Sequence, residues 1–139
     1  MYEVRAEENL LVVMHTGYDI AFPRLLRADP EKLLRIHRAL PQLKLVTTHL
    51  GAWQQWDQVE ATLVGHPVAM EISFALDSLP GQQARRILLN HGAEYLLFGT
   101  DSPWTDQGHT LQLLRSLDLP QDRLDKILWA NAARLLGLQ

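Results

Sequence analysis

A parallel α/β fold is what this chain predicts, on three observations. Four short apolar runs, LLVVM, KLVTT, VAMEIS and YLLFGT, recur along it. Helix-patterned segments separate them. The spacing of roughly 25 to 35 residues is that of parallel strands joined by right-handed crossovers. Three of the runs end on a residue that can bind a metal or move a proton: His15, His49 and Asp101. VAMEIS ends on Ser73, with Glu71 two residues earlier. In parallel sheets the carboxyl ends of the strands meet on one rim, where chemistry is done.

Residues 1–8 read as the end of a helix and 10–14 as a buried strand, because the apolar residues run together instead of alternating. Asp29 followed by Pro30 starts a helix, an N-cap acceptor before a proline at the first helical position, and Leu33, Ile36 and Leu40 give it one apolar face. Pro41 stops it, and a second strand spans 43–48. Residues 53–64 form a helix closed by Gly65, and 68–73 a third strand. The next helix covers 81–90, with Ala84, Ile87 and Leu88 on its apolar side. His91 and Gly92 give it a dipole-compatible side chain and a left-handed stop. A fourth strand follows over 95–100. Helices over 110–117 and 121–136 close the chain, with Gly137 as terminator.

Two architectures accommodate four such units: an open flavodoxin-like sheet, or the second half of a (β/α)8 barrel, whose usual length is about 250 residues. Alternation favours the barrel. It places Leu11, Val13 and His15 on one face, then Leu45, Thr47 and His49, then Ala69, Glu71 and Ser73, then Leu97, Gly99 and Asp101. Faces with small or polar members suit a crowded lumen. A flavodoxin-like module is disfavoured because no Gly-rich phosphate loop follows the first strand.

The 139 residues fit one domain, 47% hydrophobic and 21% charged. A formal charge of -3 argues against a surface built for nucleic acid. Without cysteine there is no disulfide and no thiolate metal site, so any metal is held by His and carboxylate, as expected of a cytoplasmic protein. No apolar stretch reaches the roughly 20 residues of a membrane span, and the acidic start MYEVRAEENL is unlike a signal peptide.

Imidazole and carboxylate suit zinc and similar ions, and a catalytic site needs about three protein ligands plus a position for water. His15 and Asp101 can supply two. His49, if not a third ligand, has the pKa range to move a proton, and Asp101 can both hold the metal and accept the proton of its bound water. The plainer alternatives are a turn-capping histidine and an Asx-turn aspartate before Ser102 and Pro103. Agreement of all three at the same end of different strands favours function. Trp53 and Trp104 are expected to wall a substrate pocket, and Trp56 and Trp129 to pack helices. His37, His66, His91 and His109 read as structural, Gly17 as a turn, and Gly51 and Gly99 as backbone room. Glu71, mid-strand between Met70 and Ile72, either is buried with a partner or faces the lumen.

The segments HTGYDIAFP, LKLVTTHLGAW, EYLLFGTDSPW and ILWANAARLLGL resemble the carboxyl-terminal half of the amidohydrolase-related proteins (amidohydrolase family 2), metal-dependent TIM-barrel hydrolases and decarboxylases. The resemblance covers essentially the whole chain. It implies that His15 is the metal ligand from the fifth barrel strand, His49 the catalytic or metal-proximal histidine from the sixth, and Asp101 the metal-binding aspartate and proton shuttle from the eighth. Asn131 matches a structural position, and Glu71 stands where relatives commonly have aspartate. The family's HxH ligand pair is absent from the sequence. The expectation is therefore a half-barrel with exposed sheet edges, its zinc site short of ligands, associating as a homodimer or with a missing amino-terminal half. It is either a hydrolase or decarboxylase acting on a small molecule, or an inactive remnant that works only through association.

Overall fold

The computed structural model describes residues 2–138, from Tyr2 to Leu138. Four parallel strands form one sheet in chain order: β1 (Leu11–Met14), β2 (Lys44–Thr47), β3 (Ala69–Glu71) and β4 (Leu96–Leu97). Helices connect them: α1 (Tyr2–Glu7) before β1, α2 (Pro30–Ala39), α3 (Trp56–Thr62), α4 (Ala75–Ser78) and α5 (Gly81–Asn90). After β4 come α6 (Gln107–Ser116), α7 (Gln121–Asp125) and α8 (Asn131–Leu136), the last two joined by a π-helical turn, Lys126–Ala130. This is the βα repeat expected from the sequence, in the order of half a barrel.

The helix starts follow their capping chemistry. Asp29 accepts from the Lys32 amide at 2.9 Å, and Pro30 opens α2 without losing a bond. Asp106 does the same for α6 through the His109 amide at 2.8 Å, so that helix begins three residues before the expected 110. The core lies between the helices and one sheet face, where Leu45, Met70 and Leu96 meet Leu33, Val59, Ile87, Leu114 and Ile127. Each such side chain contributes about 1.5–3 kcal/mol on burial.

Several expectations are corrected. β1 is an edge strand and is not buried: Val13 is 60% exposed. Continuous apolar sequence can mean a strand whose second face awaits cover. In the register Val13 pairs with Val46 and Met14 with Thr47, so Leu45 and Thr47 turn away from the face of Val13. The alternation proposed for the second strand is off by one. His49 still reaches the rim because the chain breaks alternation there, with left-handed φ of 57° at His49 and 53° at Leu50. That turn also delays α3 to Trp56. Gly92 has φ -58°, so α5 has no left-handed stop, whereas Gly137, φ 69°, does terminate α8. Helix α4 was not foreseen, and Trp129 is 64% exposed instead of packing a helix. No helix among the described residues is long and apolar enough to cross a membrane.

Candidate active site

The loops after β1 and β2 are stitched together, and this brings His15 to His49. The Thr48 amide donates to the Met14 carbonyl at 3.1 Å, the Thr16 amide to Thr48 Oγ1 at 3.1 Å, and Thr16 Oγ1 to the Thr48 carbonyl at 2.7 Å. One step on, the Trp53 amide donates to Thr16 and the Tyr18 amide to Trp53. Gly17 sits in the middle with φ 86°, and a Cβ there would lie 2.2 Å from the Trp53 nitrogen. A side chain is excluded twice, by backbone conformation and by close approach. The sequence reading of Gly17 as a turn missed this second function.

His15 Nδ1 lies 3.1 Å from His49 Nε2. Each ring's outer nitrogen faces a carbonyl, His49 Nδ1 that of Ser73 at 3.1 Å and His15 Nε2 that of Tyr18 at 3.0 Å. Carbonyls only accept, so the three contacts require three N–H protons, whereas two neutral imidazoles carry two. Burial lowers the pKa of His49; the Ser73 carbonyl, Glu71 and Asp101 oppose that shift, and His15 adds to it. The neutral arrangement that serves the buried end puts protons on His49 Nδ1 and His15 Nδ1. The lone pair is then left at His15 Nε2, the half-exposed end beside Asp19.

Three supports fix His49. Its amide donates to Glu71 Oε1 at 2.8 Å, its carbonyl accepts from Trp56 Nε1 at 3.0 Å, and its ring is held by Ser73. Trp56 therefore packs the start of α3 and also braces the site. Glu71 meets both readings: the register places it on the face of Val13, away from the helices, and its carboxylate is partnered there by the His49 turn, which the sequence did not reveal.

His15, His49 and Asp101 line one pocket of about 290 Å³. Tyr18, Trp53, Phe74 and Trp104 form its aromatic walls, Trp53 buried and Trp104 76% exposed. The pocket residues expected from the sequence are thus brought together, and Tyr18 and Phe74 are additions. Phe74 carries no sequence signal for this, since it enters α4 through a left-handed φ of 59°. Asp101, also left-handed at φ 55°, precedes a cis Ser102–Pro103 bond, and its carbonyl accepts from Trp104. No side-chain capping bond is made by Asp101 among the described residues, so the Asx-turn alternative does not describe it.

Two imidazoles and a carboxylate are donors suited to a divalent ion. Even so, among the described residues no three His, Cys, Asp or Glu side chains stand close enough together to hold one. His15 directs one nitrogen to His49 and the other at a carbonyl, so both of its nitrogens are engaged within the protein. The remaining histidines behave structurally where their contacts are visible. His91 Nε2 donates to the Val68 carbonyl at 2.9 Å, and His109 Nε2 meets Asp77 Oδ1 at 2.6 Å. Asn131 holds the carbonyls of Ala93 and Leu96.

Against known proteins, the profile of the Amidohydrolase family matches residues 1–138. Among solved structures, an uncharacterised TIM-barrel protein from Bordetella bronchiseptica is 27% identical with TM-score 0.75, over 98% of this chain and 48% of that one. A candidate 2-pyrone-4,6-dicarboxylic acid hydrolase from Pseudomonas putida is 24% identical with TM-score 0.66, over 95% of this chain and 53% of that one. A dihydroxybenzoic acid decarboxylase from Polaromonas, with bound manganese and 2-nitroresorcinol, is 16% identical with TM-score 0.66, over 98% of this chain and 52% of that one. The last two likenesses show the fold alone. No curated protein matches. The chain spans about half the length of these structures, and its four strands correspond to half of a TIM barrel. On the family match along almost its whole length, the chain belongs to the amidohydrolase family.

Proposed function

We propose that this chain forms the proton-handling side of a hydrolase active site for a small-molecule substrate, with the His15–His49 pair and Asp101 as its reacting groups and Trp53 and Trp104 walling the substrate. The observation that carries this reading is the His15–His49 contact opening into the pocket that Asp101 lines. A water proton is taken up at His15 Nε2 while the Nδ1 proton of His15 passes to His49 Nε2. The charge then lies on His49, where burial disfavours it while the Ser73 carbonyl, Glu71 and Asp101 offset part of that penalty, and every contact of the pair is satisfied. The hydroxide adds to a carbonyl carbon. The pair returns its proton to the leaving group as the bond to carbon breaks. Asp101, exposed at the mouth, orients the water or shares its proton.

In the complete enzyme a divalent ion, zinc by donor type, would activate the water as a Lewis acid; Asp101 would hold it, and His15 would join only where Nε2 turns from the Tyr18 carbonyl to the ion, in place of the proton uptake at that nitrogen. The described residues supply no third ligand. Decarboxylation is the second reading, favoured by the decarboxylases that share the fold. There the protonated pair delivers its proton to the carbon that loses carbon dioxide.

The test is hydrolysis of 4-nitrophenyl acetate and dihydrocoumarin, with zinc or manganese added, by wild type, His49→Gln and Asp101→Asn. Both variants should lose about 10²–10⁴-fold in kcat, the usual contribution of a positioned acid or base. Equal rates in all three proteins would contradict the hydrolase reading. Carbon dioxide release from 2,6-dihydroxybenzoate instead would favour the second one.

A further inference from the structure

We infer that Glu71 is the positioning residue of this site, fixing both the turn that carries His49 and the direction its imidazole faces. The inference rests on the role proposed for His49. Three donors converge on one carboxylate: Oε1 accepts from the His49 amide at 2.8 Å and from Ser73 Oγ at 2.6 Å, and Oε2 from the Ser73 amide at 2.9 Å. The backbone carbonyl of Glu71 accepts from the Leu50 amide at 2.7 Å. Glu71 therefore takes the N–H groups of both consecutive left-handed residues, His49 and Leu50, which are the ones that turn the imidazole to the rim. Through Ser73 it also holds the carbonyl that receives the proton on His49 Nδ1. The backbone under the ring and the acceptor at its far end are tied to one residue, the His49 amide and Ser73 through its carboxylate and the Leu50 amide through its backbone carbonyl.

The chemistry is specific to a carboxylate. All three neighbours donate, and an ionised carboxylate only accepts. An amide of the same shape must present an NH2 either to the Ser73 amide or to the His49 amide and Ser73 hydroxyl, leaving donor facing donor. The adjacent strand end is shaped to admit this group: a Cβ on Gly99 would lie 2.0 Å from Glu71 Oε2. Gly99 thus provides space for the carboxylate itself.

The experiment is long-range ¹H–¹⁵N correlation of the histidine rings in labelled whole chain. Wild type is expected to give a single Nδ1–H tautomer for His49. Glu71→Gln and Gly99→Ala are each expected to lose it, both ring nitrogens moving toward averaged shifts while the His91 pattern stays put. Retention of the wild-type His49 pattern in a folded Glu71→Gln protein overturns the inference. Should either variant fail to unfold cooperatively, wild type alone decides: a coupling across the hydrogen bond from the His49 amide nitrogen to the Glu71 carboxylate carbon is expected, and its absence overturns the assignment. These spectra do not depend on turnover, so failure of the hydrolase reading leaves them unchanged.

Discussion

His15 and His49, 34 residues apart in sequence, meet ring to ring, with centroids 4.8 Å apart and planes inclined at 70°. Neighbouring parallel strands bring their ends within reach, but the contact depends on the seam between the following loops, in which Thr16 and Thr48 exchange two hydrogen bonds. Thr16 is fully buried. Replacing Thr48 by Val leaves the Thr16 amide without an acceptor, at a cost of about 1–3 kcal/mol. Urea denaturation should show the midpoint fall with the slope unchanged.

Gly17→Ala should be more damaging. It sets a Cβ 2.2 Å from the Trp53 nitrogen at a left-handed position, so both the backbone and the seam must shift. About 2–4 kcal/mol is expected, from strain and overpacking together. Thermal unfolding measures it, and the His15–His49 contact should be lost in the same variant.

Stability should fall in mild acid. Burial lowers the pKa of His91, which has its Nδ1 buried without a partner, and also that of His49. A histidine with a depressed folded pKa is protonated more readily in the unfolded chain. Its contribution is therefore complete above about pH 6.5 and is lost as pH falls toward the folded pKa, with a slope of up to about 1.4 kcal/mol per pH unit per group. His91→Gln, which cannot become charged, should flatten the decline. Urea titrations between neutral and mildly acidic pH check this.

The N-cap of α2 offers a control away from the site. Asp29→Ala removes the acceptor of the Lys32 amide and the partner of Lys32 Nζ at 2.7 Å. The loss should be about 1 kcal/mol, with no change in turnover or in the histidine spectra.

The strands, the crossovers and the three rim residues were legible because apolar runs and their terminal polar residues are local signals. The Asp29–Pro30 start was legible for the same reason. What sequence could not convey depends on backbone that departs from regular periods. His49 reaches the rim only by a left-handed turn, so alternation assigned its strand to the wrong face. Glu71 reads as a mid-strand carboxylate until the donors around it are in place, and Phe74, one residue past the expected strand, carries no signal until α4 begins after it. The exposure of Val13 and Trp129 depends on what lies beside them, which no pattern within this chain encodes.

The proposed chemistry requires a proton shared along the His15–His49 pair, and the coupling between His15 Nδ1 and His49 Nε2 across their hydrogen bond tests that most directly. A resolved nitrogen–nitrogen cross-peak between these two atoms in ¹⁵N-labelled protein, abolished in His15→Gln, is the expected result. Absence of that cross-peak in folded wild type, with the two rings titrating independently, would contradict the account.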